Sequence, residues 1–217
     1  MRAGLKSLLR RDHRTTPWSG GTTTELAIYP MTADYKQGNY LWRLSTATVD
    51  AETSVFSALP GVTRTLLLLE GQMSLRHEGH HEARLRPFDQ DSFEGGWTTH
   101  SQGQGRDFNL MCTAGVDGHL APLFIPGGAA RGVSVRTLRM RSSTWLALYC
   151  VDGDLTLSCD SDHAPFDTGD IFVAEASRLP AEGELVIANR TDKPRAVIRC
   201  ILHSAAQPHR LTDQTLE

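Results

Sequence analysis

The sequence predicts an all-β protein built from two packed barrels of similar construction. Two apolar runs with an acidic-glycine turn, TLLLLEGQMSL around Gly71 and LALYCVDGDLTL around Gly153, lie 82 positions apart. This period is too long for a solenoid repeat and suits one small barrel. Short β-branched and apolar runs recur along the whole chain, whereas helical periodicity is nearly absent. Many short strands at such spacing are typical of a sandwich or barrel.

The predicted strands follow one another between glycine and proline turns. We expect both glycine-centred segments to form β-hairpins, residues 114–130 to link the halves, and the N-terminal stretch to pack on a barrel as a short lead-in. The domains are then an N-terminal half with lead-in strands (1–118), a C-terminal half (119–203) and a polar tail (204–217). The predicted strands are 22–29, 41–49, 63–69, 72–76, 107–112, 133–138, 145–151, 154–158, 171–174, 184–188 and 196–202.

Composition narrows the classes of function. The 217 residues carry a net charge of -3 with a pI near 6.3. The chain therefore lacks the broad excess of positive charge that nucleic-acid binding uses, and we expect no nucleic-acid partner. The sequence shows no signal peptide and no apolar run long enough to span a membrane, so we expect a cytoplasmic protein without a membrane partner. The four cysteines have no CxxC spacing, and we expect them to be reduced and mostly buried.

The segment from Phe166 to Phe172, with Gly169-Asp170 before an apolar strand, has the spacing of half a cupin barrel. The first half contains a series of further motifs: Pro17-Trp18, Gly20-Gly21-Thr22-Thr23 with Glu25, Trp42-Arg43 with Ser45, Phe56-Ser57, Pro60-Gly61, Arg64, Leu69-Glu70-Gly71 and Asp107-Phe108-Asn109 with Met111. In order and spacing these motifs resemble those of the HutD/Ves family of bicupins. Family members usually have two further residues, including a Lys-Asn or Arg-Asn pair, between the Trp and the Gly-Thr-Thr stretch, and this chain lacks them.

This resemblance implies two jelly-roll cupins in one chain and a ligand pocket in the first of them. For the HutD branch it implies a role linked to histidine utilisation through a glutamate-derived breakdown product. For the Ves branch it implies a link to cold and stress response. It implies no established catalytic activity for either branch.

Strand alternation predicts the polar face of that pocket. Arg43 and Ser45 share one face of a strand, as do Asp107 and Asn109 on another. With Arg64 added the site is net positive, and a guanidinium binds a carboxylate through two parallel hydrogen bonds. We therefore predict a small carboxylate ligand of the formylglutamate or formiminoglutamate type. Further candidates for the wall of the pocket are Trp18, Thr23 and Glu25.

The sequence is also compatible with a different arrangement of the same residues. Arg43 and Asp107 can form a buried tie between strands while Arg64 points to solvent. Trp18 can plug the end of the barrel as a core residue. Trp42, Trp145 and Phe172 are better explained as core.

No metal or other cofactor is expected. Cupin enzymes hold their metal with an HxH pair, a glutamate and a further histidine, and the stretches before Gly71 and Gly153 contain no histidine. Three histidines between His77 and Glu82 can capture zinc or nickel adventitiously, but they fall in a predicted hairpin connection where solvated residues are usual. His100 is a single histidine and is best explained as a surface residue.

Two functions from different classes follow. We favour a non-catalytic protein that binds a small carboxylate and takes part in regulating histidine utilisation or a stress response. The alternative is a metal-independent isomerase or hydrolase in which Asp107, Glu25 or His100 acts as acid or base. An interaction scaffold or homodimer is a third alternative, and its sign would be an exposed apolar patch.

Overall fold

The computed structural model describes residues 5–140, 143–181 and 183–205. It is all-β, as predicted, and every paired strand runs antiparallel to its neighbours. The first elements along the chain are α1 (Leu5–Leu8), β1 (Leu9–Arg10), β2 (Arg14–Trp18), β3 (Gly21–Tyr29), β4 (Trp42–Val49), β5 (Thr53–Val55), β6 (Val62–Gly71), β7 (Met73–His77), β8 (Glu82–Leu85), β9 (Gln90–Glu94), β10 (Thr99–Gln102) and β11 (Gly105–Thr113). The remainder are β12 (Val116–Ile125), β13 (Ala130–Ser134), α2 (Val135–Leu138), β14 (Thr144–Cys150), β15 (Leu155–Cys159), β16 (Asp162–Phe166), β17 (Ile171–Glu175), β18 (Glu184–Asn189) and β19 (Arg195–Ser204).

Each half of the chain is a sandwich of one large and one small sheet. In the first half the six-stranded sheet has the order β2-β3-β4-β11-β6-β9 and faces the four-stranded sheet β5-β10-β7-β8. Residues of both sheets, such as Leu66 and Leu75, pack into one core. In the second half the five-stranded sheet β1-β17-β14-β19-β12 faces the sheet β13-β18-β15-β16. Its interior is filled by apolar side chains, including Leu146, Leu157 and Phe166.

The two halves meet through their large sheets. Trp42 and Leu44 on β4 belong to the same buried cluster as Trp145 and Ala147 on β14. The Tyr29 ring packs against both tryptophans, with its centroid 5.7 Å from that of Trp42 and 4.7 Å from that of Trp145. The core role predicted for both tryptophans, and for the fully buried Phe172, is confirmed. A central strand of each large sheet is therefore apolar on the face that touches the other half.

The two predicted hairpins are wrong. After Gly71 the chain leaves the six-stranded sheet, so β6 pairs with β9 and β11 while β7 pairs with β8 and β10. The same change of sheet occurs at Gly153, between β14 and β15. A glycine between two apolar runs marks a turn of the chain, but both hairpins and sheet-to-sheet corners need one. Which sheet the next strand joins depends on its tertiary partners.

The predicted link at 114–130 is also wrong, because most of it is the ten-residue strand β12, which pairs along its length with β19. The strand contains Pro122, but β12 is the last strand of its sheet, and an edge position tolerates a residue without an N–H group. The predicted strand 133–138 is strand only to Ser134 and then forms the helical turn α2.

The N-terminal lead-in packs on the second half of the chain before the chain enters the first half. Strand β1 pairs with β17, and Arg11 donates three hydrogen bonds to the Asp170 carboxylate, so these residues pack on the second half. Our boundary at residue 118 lies inside β12. The tail prediction lies outside the described residues from 206 onward.

Two further findings bear on the expectations from composition. All four cysteines are free and buried, as predicted. No helix among the described residues has the length and apolar character needed to cross a bilayer.

Candidate functional site

A cavity of about 440 Å³ lies inside the first sandwich, on the inner face of its six-stranded sheet. A wider groove, of about 930 Å³, runs over the outer face of the four-stranded sheet, but its charged side chains Arg76, Glu82 and Arg84 are exposed to water. Of these two, the inner cavity is the one with buried charges in its wall, those of Arg43, Arg64 and Asp107. It is lined by Thr16, Pro17, Trp18, Thr23, Tyr35, Lys36, Arg43, Ser45, Ala47, Val49, Phe56, Ser57, Leu59, Arg64, Asp107, Asn109 and Met111.

Strand register explains how these residues come together. Met111 on β11 lies opposite Arg43 on β4 and opposite Arg64 on β6, which places both arginines in one row across three strands. Asn109 lies opposite Ser45 in the next inward-facing row. The alternate residues of β11, Phe108 and Leu110, point the other way into the contact between the two halves. The alternation predicted from the sequence is confirmed.

Arg43 is buried and is held by a carboxylate from the neighbouring strand. Its Nε donates to Glu25 Oε2 at 2.7 Å, and its Nη1 donates to Ser45 Oγ at 3.2 Å. The guanidinium carbon lies 4.2 Å from the centre of the Tyr35 ring, a cation–π distance. The alternative tie between Arg43 and Asp107 is therefore not formed, because Arg43 pairs with Glu25 on the adjacent β3.

Arg64 heads a buried polar chain. Its Nη2 donates to Asn109 Oδ1 at 3.1 Å, and Asn109 Nδ2 donates to Asp107 Oδ1 at 2.9 Å. The guanidinium carbon lies 5.0 Å and 5.1 Å from the ring centres of Phe56 and Phe93. Because Arg64 is only 7% exposed, the alternative in which it points to solvent is wrong. Its buried Nε has no hydrogen-bond partner among the described residues.

Burial dominates the electrostatics of this chain. It raises the pKa of Asp107 to about 6, against the lowering effects of the Asn109 hydrogen bond and the Arg64 charge. Burial also lowers the pKa of Arg64, although an arginine stays protonated in proteins. The Asp107 carboxyl group therefore changes its charge close to neutral pH while the guanidinium beside it does not.

Trp18 stands at the rim of the cavity, and its buried Nε1 has no partner among the described residues. The indole ring lies directly over Gly20, where any Cβ atom would collide with it. Tyr35 and Lys36 cover the same rim from a short 3-10 turn, in which the Asp34 carboxylate accepts the Lys36 N–H and Gly38 is left-handed. Sequence reasoning missed this turn, although Asp34 and Gly38 are turn signals.

Replacing Gly20 by alanine is expected to push Trp18 away from the rim. We expect the tryptophan fluorescence to shift and any ligand held in the cavity to bind about tenfold more weakly, with only a small loss of stability, because the ring is partly exposed already. Gly96→Ala is the matched control, since a Cβ there would meet Pro60 at an ordinary 3.4 Å. Equal fluorescence and binding in the two variants would contradict this placement of Trp18.

The structure brings the predicted site residues into one place. Glu25 reaches the site through its ion pair with Arg43 rather than by lining the cavity. Tyr35, Phe56 and Met111 also line it without having been predicted as site residues, because aromatic and thioether side chains carry no signal that separates wall from core. Lys36 was missed together with the 3-10 turn that carries it. The predicted residues that line the cavity are Trp18, Thr23, Arg43, Ser45, Arg64, Asp107 and Asn109.

Histidine does not contribute to this wall. Among the described residues, those lining the cavity include no imidazole, so the three-histidine ligand set of cupin enzymes has no counterpart there. His100 lies on β10 in the groove on the outer face of the small sheet, where its Nε2 contacts Glu78 Oε1 at 2.6 Å. It therefore cannot act as an acid or base on a molecule inside the cavity.

The two facing sandwiches and the cavity inside the first define a cupin-type protein with two barrels. The same fold is found in an oxalate decarboxylase of Lactobacillus farciminis, solved as a formate complex, which superposes with a TM-score of 0.62 at 10% identity over 94% of this chain and 88% of its own. The HutD profile matches residues 10–190, and the chain belongs to the HutD family. No curated protein sequence matches it.

Two further solved structures are similar to this chain. A conserved protein of unknown function from Pseudomonas aeruginosa is 26% identical, with a TM-score of 0.72, over 90% of this chain and 99% of its own. HutD from Pseudomonas fluorescens, solved in a formate condition, is 19% identical, with a TM-score of 0.64, over 91% of this chain and 98% of its own.

Proposed function

We propose that this chain binds a small organic carboxylate, of the formylglutamate or formiminoglutamate type, in the first barrel without chemically changing it. The observation that carries the proposal is Arg64, a buried guanidinium in the cavity wall whose Nε has no partner among the described residues. A buried donor without a partner is costly, and a carboxylate oxygen would satisfy it. Arg43 supplies a second buried cation on the same inner face.

The charge in the wall favours an anion. The three cations Arg43, Arg64 and Lys36 face two carboxyl groups, and one of these, Asp107, is partly protonated near neutral pH. The second carboxyl group, Glu25, is already paired with Arg43. The positive charge that remains can be neutralised by a ligand carboxylate through charge-assisted hydrogen bonds.

The size and surfaces of the cavity favour a small ligand with an apolar stem. A volume of about 440 Å³ is in the range of small-molecule sites. Phe56, Leu59 and Met111 offer apolar contact between the polar groups, which suits the methylene chain of a glutamate derivative. Asp107 and Asn109 can accept from and donate to an amide or formimino group.

We extend the proposal to regulation through the family. Members of the HutD branch are linked to histidine utilisation, and a protein that binds an intermediate without consuming it can sense or buffer its concentration. A role in a stress response, as implied for the Ves branch, is the alternative within the family. The homodimer and the cytoplasmic location stay predictions.

A thermal-shift screen tests binding directly. Formylglutamate, formiminoglutamate, glutamate and formate would be compared with glutaramide, which has a similar carbon chain and no charge. A ligand at 100 times its Kd stabilises the fold by about 2.7 kcal/mol, a shift of several degrees. We expect shifts from the acids and none from the amide. Absence of a shift with every acid would contradict the proposal.

Asp107 supports one alternative, a metal-independent hydrolase or isomerase. A pKa of about 6 suits a general acid or base near neutral pH, and Asp107 faces the cavity. Incubation of each acid with a stoichiometric amount of protein, followed by proton NMR, separates the two functions. Binding with no new signals supports the non-catalytic protein, and product formation that is lost in Asp107→Asn supports the enzyme.

A further inference from the structure

A second polar cluster lies in the first barrel, apart from the cavity. It joins His77 on β7, His81 in the loop after β7 and Asp91 on β9, and one ligand atom from each lies within 4.8 Å of the other two. The sequence analysis treated His77 to Glu82 as a solvated connection. That is wrong for His77, which follows Met73 and Leu75 on the inward face of β7 and is 2% exposed.

The Asp91 carboxylate lies between the two imidazoles. Its Oδ2 is 2.8 Å from His77 Nε2, and its Oδ1 is 2.9 Å from His81 Nε2. Both histidines therefore present the same kind of nitrogen to one carboxylate. Because β7 and β9 belong to different sheets, the tertiary structure creates this arrangement and the sequence spacing conceals it.

The surroundings orient His77 as a ligand. Its second nitrogen, Nδ1, lies 2.8 Å from the Thr99 hydroxyl group, and its ring centroid is 4.5 Å from that of Phe93. Metal-bound histidines nearly always use the other ring nitrogen in such a hydrogen bond, which fixes the tautomer and the plane of the ring. A carboxylate oxygen only accepts, so His77 Nε2–H donates to Asp91 in the contact described above. When an ion replaces that proton and Nδ1–H donates to Thr99, the Nε2 lone pair is free to bind the ion beside Asp91 and His81.

We propose that His77 Nε2, His81 Nε2 and an Asp91 carboxylate oxygen form a binding site for one divalent transition metal ion, with zinc as the reference ion. Two imidazoles and one carboxylate are a donor set that suits zinc, nickel and copper rather than magnesium or calcium. The present N···O distances allow a shared ion at bonds of about 2.0–2.2 Å after small side-chain rotations.

One coordination position is left for water. Asp91 has 12% of its side chain exposed and His81 has 42%, so the side of the cluster formed by these two residues faces solvent. His80, the remaining histidine of the loop, stacks on Trp97 with ring centroids 3.6 Å apart and belongs to no described ligand set. The bound ion would join the loop after β7 to β9 and so connect the two sheets of the first barrel at this point.

The test is zinc titration of tag-free, chelator-treated protein by calorimetry, with cobalt absorption as a second readout. We expect one ion per chain, visible cobalt bands, and a rise in melting temperature because the ion binds only the folded chain. His81→Ala and Asp91→Asn are expected to weaken binding by more than about tenfold. Thr99→Val, which removes only the orienting hydroxyl group, is expected to weaken it about tenfold.

His80→Ala and His100→Ala are the controls, and both are expected to bind zinc as the unmodified chain does. Melting temperatures without metal identify any variant that fails to fold, and His81 is the most informative because it is exposed. Loss of binding in His80→Ala equal to that in His81→Ala, or full binding in Asp91→Asn, would mean that only the loop histidines capture the ion and would overturn the proposal. Absence of stoichiometric binding would also overturn it.

The proposed metal site and the proposed carboxylate cavity can be tested independently of each other. The Phe93 ring lies between them, in contact with both Arg64 and His77. His81 does not line the cavity, so His81→Ala is expected to bind carboxylates as the unmodified chain does.

Discussion

Replacement of Arg64 by methionine is expected to weaken carboxylate binding by about 100-fold. Methionine preserves an unbranched side chain of similar length against Phe56 and Phe93, but removes the buried charge and the Nε donor that has no partner among the described residues. A hydrogen bond between charged groups contributes about 1.5–3 kcal/mol, and 100-fold corresponds to about 2.7 kcal/mol. Isothermal calorimetry with the best acid from the screen measures the change.

Arg106→Met is the matched control. Arg106 lies on β11 beside Asp107, but its side chain contacts Glu70 and Tyr149 instead of the cavity. We expect this variant to bind as the unmodified chain does. The pair Arg64→Met with Asp107→Asn separates binding from folding, because it leaves no uncompensated carboxylate in the interior. Binding by this double variant as tight as that of Asp107→Asn alone would exclude Arg64 as the anion site.

The Asp107→Asn variant is expected to be more stable than the unmodified chain by up to about 3 kcal/mol at pH 8. The pKa of Asp107 is raised from 3.8 to about 6 in the folded chain, so the folded state holds the proton more tightly than the unfolded state. The stability that this group contributes is complete below pH 3.8, is lost as the pH rises to about 6, and does not recover above it. Asparagine has no charge to bury at any pH.

Urea denaturation at several pH values measures this effect. The difference between the variant and the unmodified chain should grow between pH 4 and 6 and stay constant to pH 8. Asp117→Asn, which changes an exposed carboxylate on β12, is the control and should show no comparable gain. A stability difference that does not depend on pH would contradict a raised pKa for Asp107.

The same titration should govern ligand affinity. Protonation removes a negative charge from the wall, so a carboxylate ligand is expected to bind more tightly as the pH falls through about 6. Asp107→Asn should bind at pH 8 about as the unmodified chain does at pH 5. Calorimetry across this range measures it, and an unchanged Kd in the unmodified chain would show that Asp107 is too far from the bound anion.

The sequence predicted the inner wall of the cavity well because strand alternation is a local property. In β4 and β11, polar residues at every second position mark the inward face, and the apolar residues between them mark the contact with the second half. Arg43, Ser45, Asp107 and Asn109 follow directly from that rule. The same rule could not pair Arg43 with Glu25, because this contact needs the register of β3 against β4.

Sequence reasoning also missed the contacts between sheets. The hairpins at Gly71 and Gly153 were wrong because a turn residue does not specify which sheet the next strand joins. Asp91 was not recognised as a partner of His77 for the same reason, since β9 joins the large sheet while β7 joins the small one.

The sequence by itself determined that this chain is all-β, has two halves of cupin type, and carries an arginine-rich polar face in the first half. Side-chain alternation and turn residues depend on only a few neighbouring positions, so they can be recognised in the sequence. Only the tertiary structure decided that Arg64 is buried with a donor that has no partner in the described part of the chain, that Glu25 pairs with Arg43, and that Asp91 contacts two histidines. Burial and pairing depend on which strands lie opposite each other, and neighbouring residues in the chain do not specify that.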